Sequence, residues 1–289
     1  MRSVEGFVWH SERRVLTAGG RARVYRLYRP RGLSRGNRVP LVMVLHGGFG
    51  SGAQAEYAYR WNDLADVHGF VLCYPDGLGH SWNAGTCCGP AVREGVDDVA
   101  FLAAVLEEAG ATEGVDPRRV YAAGISNGAM MAYRLGCDLP GRLAAIGSVA
   151  GTMVCECRRP APISVLAIHG LEDANLPFGG GIGAKAFEPT PRPPVLSVMD
   201  VWRQAGRCGP PRVIEAPPVR TESWSGPNGI EVRLTTIAGA GHQWPGGRPP
   251  APRVARALRL DPPSPALDAT AVLWDFFAAH PRLEAPAGR

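Results

Sequence analysis

Hydrophobic and polar residues alternate along 4–9, 13–18 and 22–28, with Gly19-Gly20 between the last two runs. Alternation sets one face of a strand on a core and the other in solvent, and a two-glycine gap suits a tight turn. The chain is therefore predicted to open with antiparallel strands over residues 1–30. The pattern then changes. Pro40-Leu41-Val42-Met43-Val44-Leu45-His46 and Gly69-Phe70-Val71-Leu72-Cys73-Tyr74-Pro75 are apolar throughout, as are the stretches 119–125, 144–149 and 163–169. A strand with no polar side is covered on both faces, as inside a parallel sheet. Between these runs apolar residues recur at helical spacing: through Trp61, Leu64, Ala65 and His68, over 99–106, after Ser126, over 196–206 and over 269–277. A further strand is predicted over 230–237. The alternation of strand and helix predicts an α/β fold, a mostly parallel sheet with helices on both faces. Two stretches rich in Gly, Pro and Arg, 175–195 and 243–265, are expected to be surface excursions. No repeat or linker separates two cores, so residues 1–289 are expected to form a single domain.

Composition narrows the function classes. The net charge of +5 comes from arginines scattered singly, with Lys185 the sole lysine, and no basic stripe marks a nucleic-acid surface. No apolar run approaches the ~18 residues of a membrane span. Met1 to Ser11 lacks the apolar core of a signal peptide, which leaves either a cytoplasmic protein or one whose export signal lies outside this chain. Of seven cysteines, Cys73 falls in a buried strand and reads as a small core residue. Cys87, Cys88, Cys137, Cys155, Cys157 and Cys208 allow up to three disulfides, which favours an oxidising compartment. Their spacing does not suit zinc, so no metal site is expected.

The candidate chemistry starts at Arg119 to Met131. A strand-like run ends in Gly124-Ile125-Ser126-Asn127-Gly128 and a helical pattern follows, the layout of a nucleophile elbow. Side chains at 124 or 128 would collide with the neighbouring chain, and Met130 and Met131 read as core. Chance supplies about 0.2 such glycine–serine patterns in a chain of this composition, so the surroundings must decide. Asp173 follows the strand ending at Ile168, and His242 follows the strand ending at Ile237. The order Ser126, Asp173, His242 is that of the α/β-hydrolase fold, and these three are the candidate nucleophile, acid and base. Glu172 is the rival acid. An attacked carbonyl would need donors for its negative charge; the Asn127 N–H and the turn at Gly47-Gly48 are the expected oxyanion hole. His46 is expected to brace that turn rather than act as a base, and Asp97 and Asp98 to cap a helix. Phe49, Trp82, Phe178 and Trp244 fall in loops at the same edge, either lining an apolar substrate pocket or packing the loops.

The segments His46-Gly47-Gly48, Tyr74-Pro75-Asp76-Gly77, Trp82-Asn83-Ala84-Gly85 with Cys87-Cys88-Gly89, Gly95-Val96-Asp97-Asp98-Val99, Gly124 to Met130, His169-Gly170 with Asp173, and Gly241-His242-Gln243-Trp244-Pro245-Gly246 resemble the polyhydroxybutyrate depolymerase and feruloyl esterase group, including its LpqC-like members. The resemblance runs from about residue 40 to the C-terminus. It implies a secreted, cofactor-free serine esterase, extracellular or periplasmic, that acts on a small-molecule or oligomeric ester. Ser126, Asp173 and His242 match the group's triad. The chain departs from the group in lacking the usual export segment and any separate substrate-binding module, so soluble or small esters are expected rather than crystalline polymer. Feruloyl or acetylxylan esters are the alternative substrates, and amides those of a peptidase of similar fold. A non-catalytic binding protein is the alternative of another kind. Cys87 or Cys88 paired with Cys137 would tie the Trp82 loop to the elbow helix.

Overall fold

Apolar runs without a polar side do form the middle of one twisted sheet. In the computed structural model, which describes residues 11–34, 36 and 38–283, strands β1 (Glu12–Ala18), β2 (Arg21–Tyr28), β3 (Val39–Leu45), β4 (Val71–Pro75), β5 (Val115–Ile125), β6 (Ala145–Val149), β7 (Ser164–Gly170), β8 (Arg212–Ala216), β9 (Val219–Ser225) and β10 (Glu231–Ile237) join in the order β1-β2-β4-β3-β5-β6-β7-β10-β9-β8. The six strands from β4 to β10 pair in parallel. An antiparallel pair closes each edge: β1–β2 at one, β9–β8 at the other. The expected strand at 4–9 lies outside the described residues.

Because successive residues of a strand face opposite ways, the buried strands feed two cores. Leu41, Met43, Leu45, Ala122, Val165 and Ala167 pack under α4 (Asp98–Glu113), α5 (Asn127–Asp138) and α6 (Val195–Ala205). Val42, Val44, Tyr121, Ala123, Leu166 and Ile168 pack under α1 (Gly52–Tyr59), α2 (Trp61–His68) and α8 (Ala269–Ala279). Met130 and Met131 belong to the first core, as expected. Two short helices, α3 (Gly89–Arg93) and α7 (Pro252–Ala257), sit in loops.

Several expectations need correction. The 243–265 stretch is not simply a surface excursion: it holds α7 and places Trp244 in the second core, 2% exposed. In 175–195, Leu176 and Arg192 are buried and Gly181 pairs with Arg192, which makes a strap rather than a free excursion. Asp97 caps α4 by accepting the Ala100 N–H, but Asp98 does not cap. It is fully buried, ion-paired to Arg23 at 2.7 Å, and accepts the Asn83 N–H at 2.8 Å. Strands β8 and β9 have no counterpart among the predicted elements. In β8 the apolar pair Val213-Ile214 is exposed and adjacent rather than alternating, and proline pairs flank the five residues, so no strand pattern stands out there. The predicted Cys87 or Cys88 bond to Cys137 is also wrong: Cys137 pairs with Cys157, and Cys87 pairs with Cys88.

Candidate active site

The carboxyl edge of the parallel strands gathers the candidate residues. Ile125, Val149, Ile168 and Thr235 are successive register partners across β5, β6, β7 and β10, so the loops that follow start from one level. Ser126 occupies the first of them with φ 55 and ψ −122, a backbone conformation a non-glycine residue rarely adopts. Close packing enforces it. A Cβ on Gly124 would strike the Gly128 carbonyl, and one on Gly128 would strike the Leu45 and His46 carbonyl oxygens. The elbow is thus sealed against both its own helix and the end of β3.

Asp173 and His242 meet as the chain order suggested. Asp173, 3% exposed, accepts from Asn175 N at 2.9 Å and Leu176 N at 2.8 Å on Oδ1. Its Oδ2 lies 2.7 Å from His242 Nδ1. A carboxylate only accepts, so Nδ1 carries the proton and Nε2 is left as a base. Glu172 is exposed and turned away, its backbone N–H bound to Ala240 O. Behind Asp173, His169 donates from Nε2 to Leu176 O at 2.8 Å, and burial pushes its pKa down. Ser126 Oγ makes no hydrogen bond among the described residues; such contacts commonly tighten only with substrate bound.

The expected oxyanion turn lies against the elbow. The Cβ position of Gly47 is 3.5 Å from Ser126 Cβ. Phe49 N–H is taken by His80 O and Gly50 N–H by Gly47 O, whereas the N–H groups of Gly47, Gly48 and Asn127 have no partner among the described residues. His46 braces the turn: fully buried, it accepts Gly77 N–H on Nε2 at 2.9 Å and donates from Nδ1 to Gly47 O at 2.7 Å. Burial pushes its pKa down to about 4, which keeps the ring neutral.

The four aromatic residues separate. Trp82 is fully buried, its indole donating to His46 O at 2.9 Å, and Trp244 stacks on Tyr59 at 4.4 Å while donating to Thr270 Oγ1. Neither lines a substrate surface, because an indole that finds both apolar cover and an acceptor is most stable inside. Phe178 is half-buried beside the His169 ring. Phe49 alone is open, 58% exposed and edge-to-face with the equally exposed Phe187 at 4.8 Å.

Sequence reasoning missed three anchors. The Asn127 side chain clasps the Trp82 backbone, accepting its N–H at 2.6 Å and donating to its C=O at 3.0 Å. Asp261 accepts the His242 N–H at 2.8 Å and pairs with Lys185 Nζ at 2.6 Å. Phe187 comes from the strap. The one available signal was compositional: a single lysine in an arginine-rich chain stands opposite a specific acid.

Comparison with known proteins places the chain in a family. The family model described as Esterase PHB depolymerase matches residues 23–171. "Putative esterase NocK" of Nocardia uniformis subsp. tsuyamanensis is 35% identical over 81% of this chain and 74% of its own length. Feruloyl esterase B of Piromyces equi is 29% identical over 74% of this chain, which spans only 41% of that protein. The solved acetyl xylan esterase of Aspergillus awamori superposes with a TM-score of 0.58 over 83% of this chain and 94% of its own, at 15% identity, which shows a shared fold. The chain belongs to the esterase PHB depolymerase family and is a carboxylic-ester hydrolase of the α/β-hydrolase fold.

Proposed function

We propose that Ser126 is the nucleophile of an acyl-enzyme esterase that cleaves short-chain or hydroxyalkanoate-type oligoesters. The observation that carries this reading is the 2.7 Å contact between His242 Nδ1 and buried Asp173, which leaves Nε2 as the base at the edge where Ser126 is held. Nε2 takes the Ser126 proton as Oγ attacks the ester carbonyl. The oxyanion is received by the unpartnered N–H groups of Asn127 and of Gly47 or Gly48. Collapse expels the alcohol with the proton from His242, and water then repeats the sequence on the acyl-enzyme. No cofactor or metal enters these steps. With disulfides at Cys87–Cys88 and Cys137–Cys157, an extracellular or periplasmic location is part of this proposal. A second reading, an aromatic acyl group such as ferulate, is favoured by the open Phe49–Phe187 pair beside the oxyanion turn.

Ser126→Ala is expected to fold normally and lose hydrolysis of a short p-nitrophenyl ester by about three orders of magnitude or more. Retention of most activity would remove Ser126 from this role. A fluorophosphonate probe should label the wild type and not the variant. Hydroxybutyrate oligomers, methyl ferulate and acetylated xylan, compared side by side, decide the acyl group.

A further inference from the structure

The strap between β7 and α6 touches the loops after β3, β4, β6, β7 and β10. Phe187 meets Phe49, Glu188 Oε1 accepts Gly89 N–H at 2.9 Å, and Pro193 O accepts from Thr152 Oγ1 at 3.0 Å. Lys185 donates its backbone N–H to Ala174 O at 2.8 Å and its Nζ to Asp261 at 2.6 Å. The base of the strap is closed by Val195 N–H on Phe178 O at 3.0 Å and by two bonds of 2.9 Å between Gly181 and Arg192. The loops carrying Gly47, Asp173 and His242 are therefore all held by this one segment.

Arg192 lies within the strap, its side chain only 6% exposed. Its Nη1 has no hydrogen-bond partner among the described residues. The nearest acid is Glu188, whose Oε2 is 3.9 Å from Nη2, too far for a direct hydrogen bond. Glu188 is itself engaged by the Gly89 N–H, in the loop whose Trp82 is clasped by Asn127. Burial lowers the Arg192 pKa, the direction expected of a cation without adequate compensation. A guanidinium in that condition is costly, and its planar fork matches a carboxylate.

We propose that Arg192 binds a carboxylate carried by the ester substrate, a proposal that rests on Ser126 being the nucleophile. The substrate class this selects is the acid-ended oligoester. A hydroxyalkanoate oligomer carries one free carboxylate at its end, and each cleavage yields another. The enzyme would then grip oligomers by the charged end and cleave from there, in preference to neutral esters of the same length.

The test uses Ser126→Ala protein, so that substrate survives, and calorimetric titration with the dimer of 3-hydroxybutyrate and with its methyl ester. The free acid should bind at least about tenfold more tightly than the methyl ester. Arg192→Gln in that background should bring the ratio close to one, since a hydrogen bond to a charged group is worth roughly 10- to 100-fold. Arg192→Lys should restore part of it. Glu188→Gln, which removes the adjacent negative charge but keeps an acceptor for Gly89, should widen the ratio. In otherwise wild-type enzyme the ratio of kcat/KM for the two esters should follow the same order. Equal binding of acid and methyl ester, no detectable binding of the acid, or an equal loss of both in Arg192→Gln overturns the proposal. Residual turnover by Ser126→Ala would instead overturn the nucleophile assignment and leave the binding ratio to be judged alone.

Discussion

The two halves of the candidate site are held by different physics. The elbow half, Gly47 with Gly124 to Gly128, is fixed by backbone packed against backbone, with no room for a single added carbon at 124 or 128. The acid–base half is fixed by directed hydrogen bonds: Asp173 accepts from loop N–H groups and from His242 Nδ1, and His242 donates its backbone N–H to Asp261. Packing of the first kind gives a position that is either correct or absent. Bonds of the second kind can be weakened one at a time, which makes that half adjustable.

The sharpest way to separate the halves is Asp173→Asn. The amide keeps an acceptor for Asn175 and Leu176 but can present a donor to His242, favouring the wrong tautomer. We expect kcat to fall by about 10⁴, the size of effect that the same exchange has in a serine-protease triad, while the melting temperature moves by only a few degrees. A large loss of stability would mean that Asp173 is held by more than these bonds.

In the elbow half, acid should reveal His46. Its pKa is lowered from 6.5 to about 4 in the folded protein, so the unfolded chain takes up the proton first. The contribution is therefore present above pH 6.5 and is lost as pH falls towards 4, a change on the order of 3 kcal/mol at most. Protonation would also set a donor on Nε2 against the Gly77 N–H. Urea midpoints measured from pH 7 to pH 4 should fall, and His46→Asn should flatten that slope, with His169 contributing what remains.

Gly128→Ala should cost about 1–3 kcal/mol or a little more through overpacking, read as a lower urea midpoint, with activity falling in step with folded protein. Normal stability would show that the elbow can yield. The smallest effect is expected from Asp261→Asn, which leaves an acceptor for the His242 N–H but loses the charge that holds Lys185. A drop of about two- to fivefold in kcat/KM, near the 0.5–1 kcal/mol of an exposed ion pair, would mark the adjustable character of this half. A loss as large as that of Asp173→Asn would erase the distinction.

What could be read in the sequence follows the same division. The elbow was legible because glycine spacing, an apolar strand and a helix start all lie within thirteen residues, and the ends of β7 and β10 located Asp173 and His242. Choosing Asp173 over Glu172 needed the family resemblance; in the structure Asp173 lies against His242 while Glu172 is exposed. The missed features depend on partners far along the chain. Trp244 is buried by Tyr59 and Thr270, Asp98 by Arg23, and the Asn127 amide is satisfied by Trp82. Cys137 had five possible partners, and only the path of the β6–β7 loop brings Cys157 to it. Periodicity records which side of an element is apolar, not which distant residue completes a polar group.

Lys185 has a practical consequence for anyone attaching this enzyme to a solid support. Apart from the chain's own amino terminus, it supplies the sole primary amine, and its side chain is 38% exposed. Coupling to an aldehyde or activated-ester resin would therefore consume the very group that steadies the histidine loop through Asp261, and would anchor the molecule with its mouth against the matrix. Attachment through a carboxyl group of β8, every residue of which is exposed, would leave the Lys185–Asp261 pair intact.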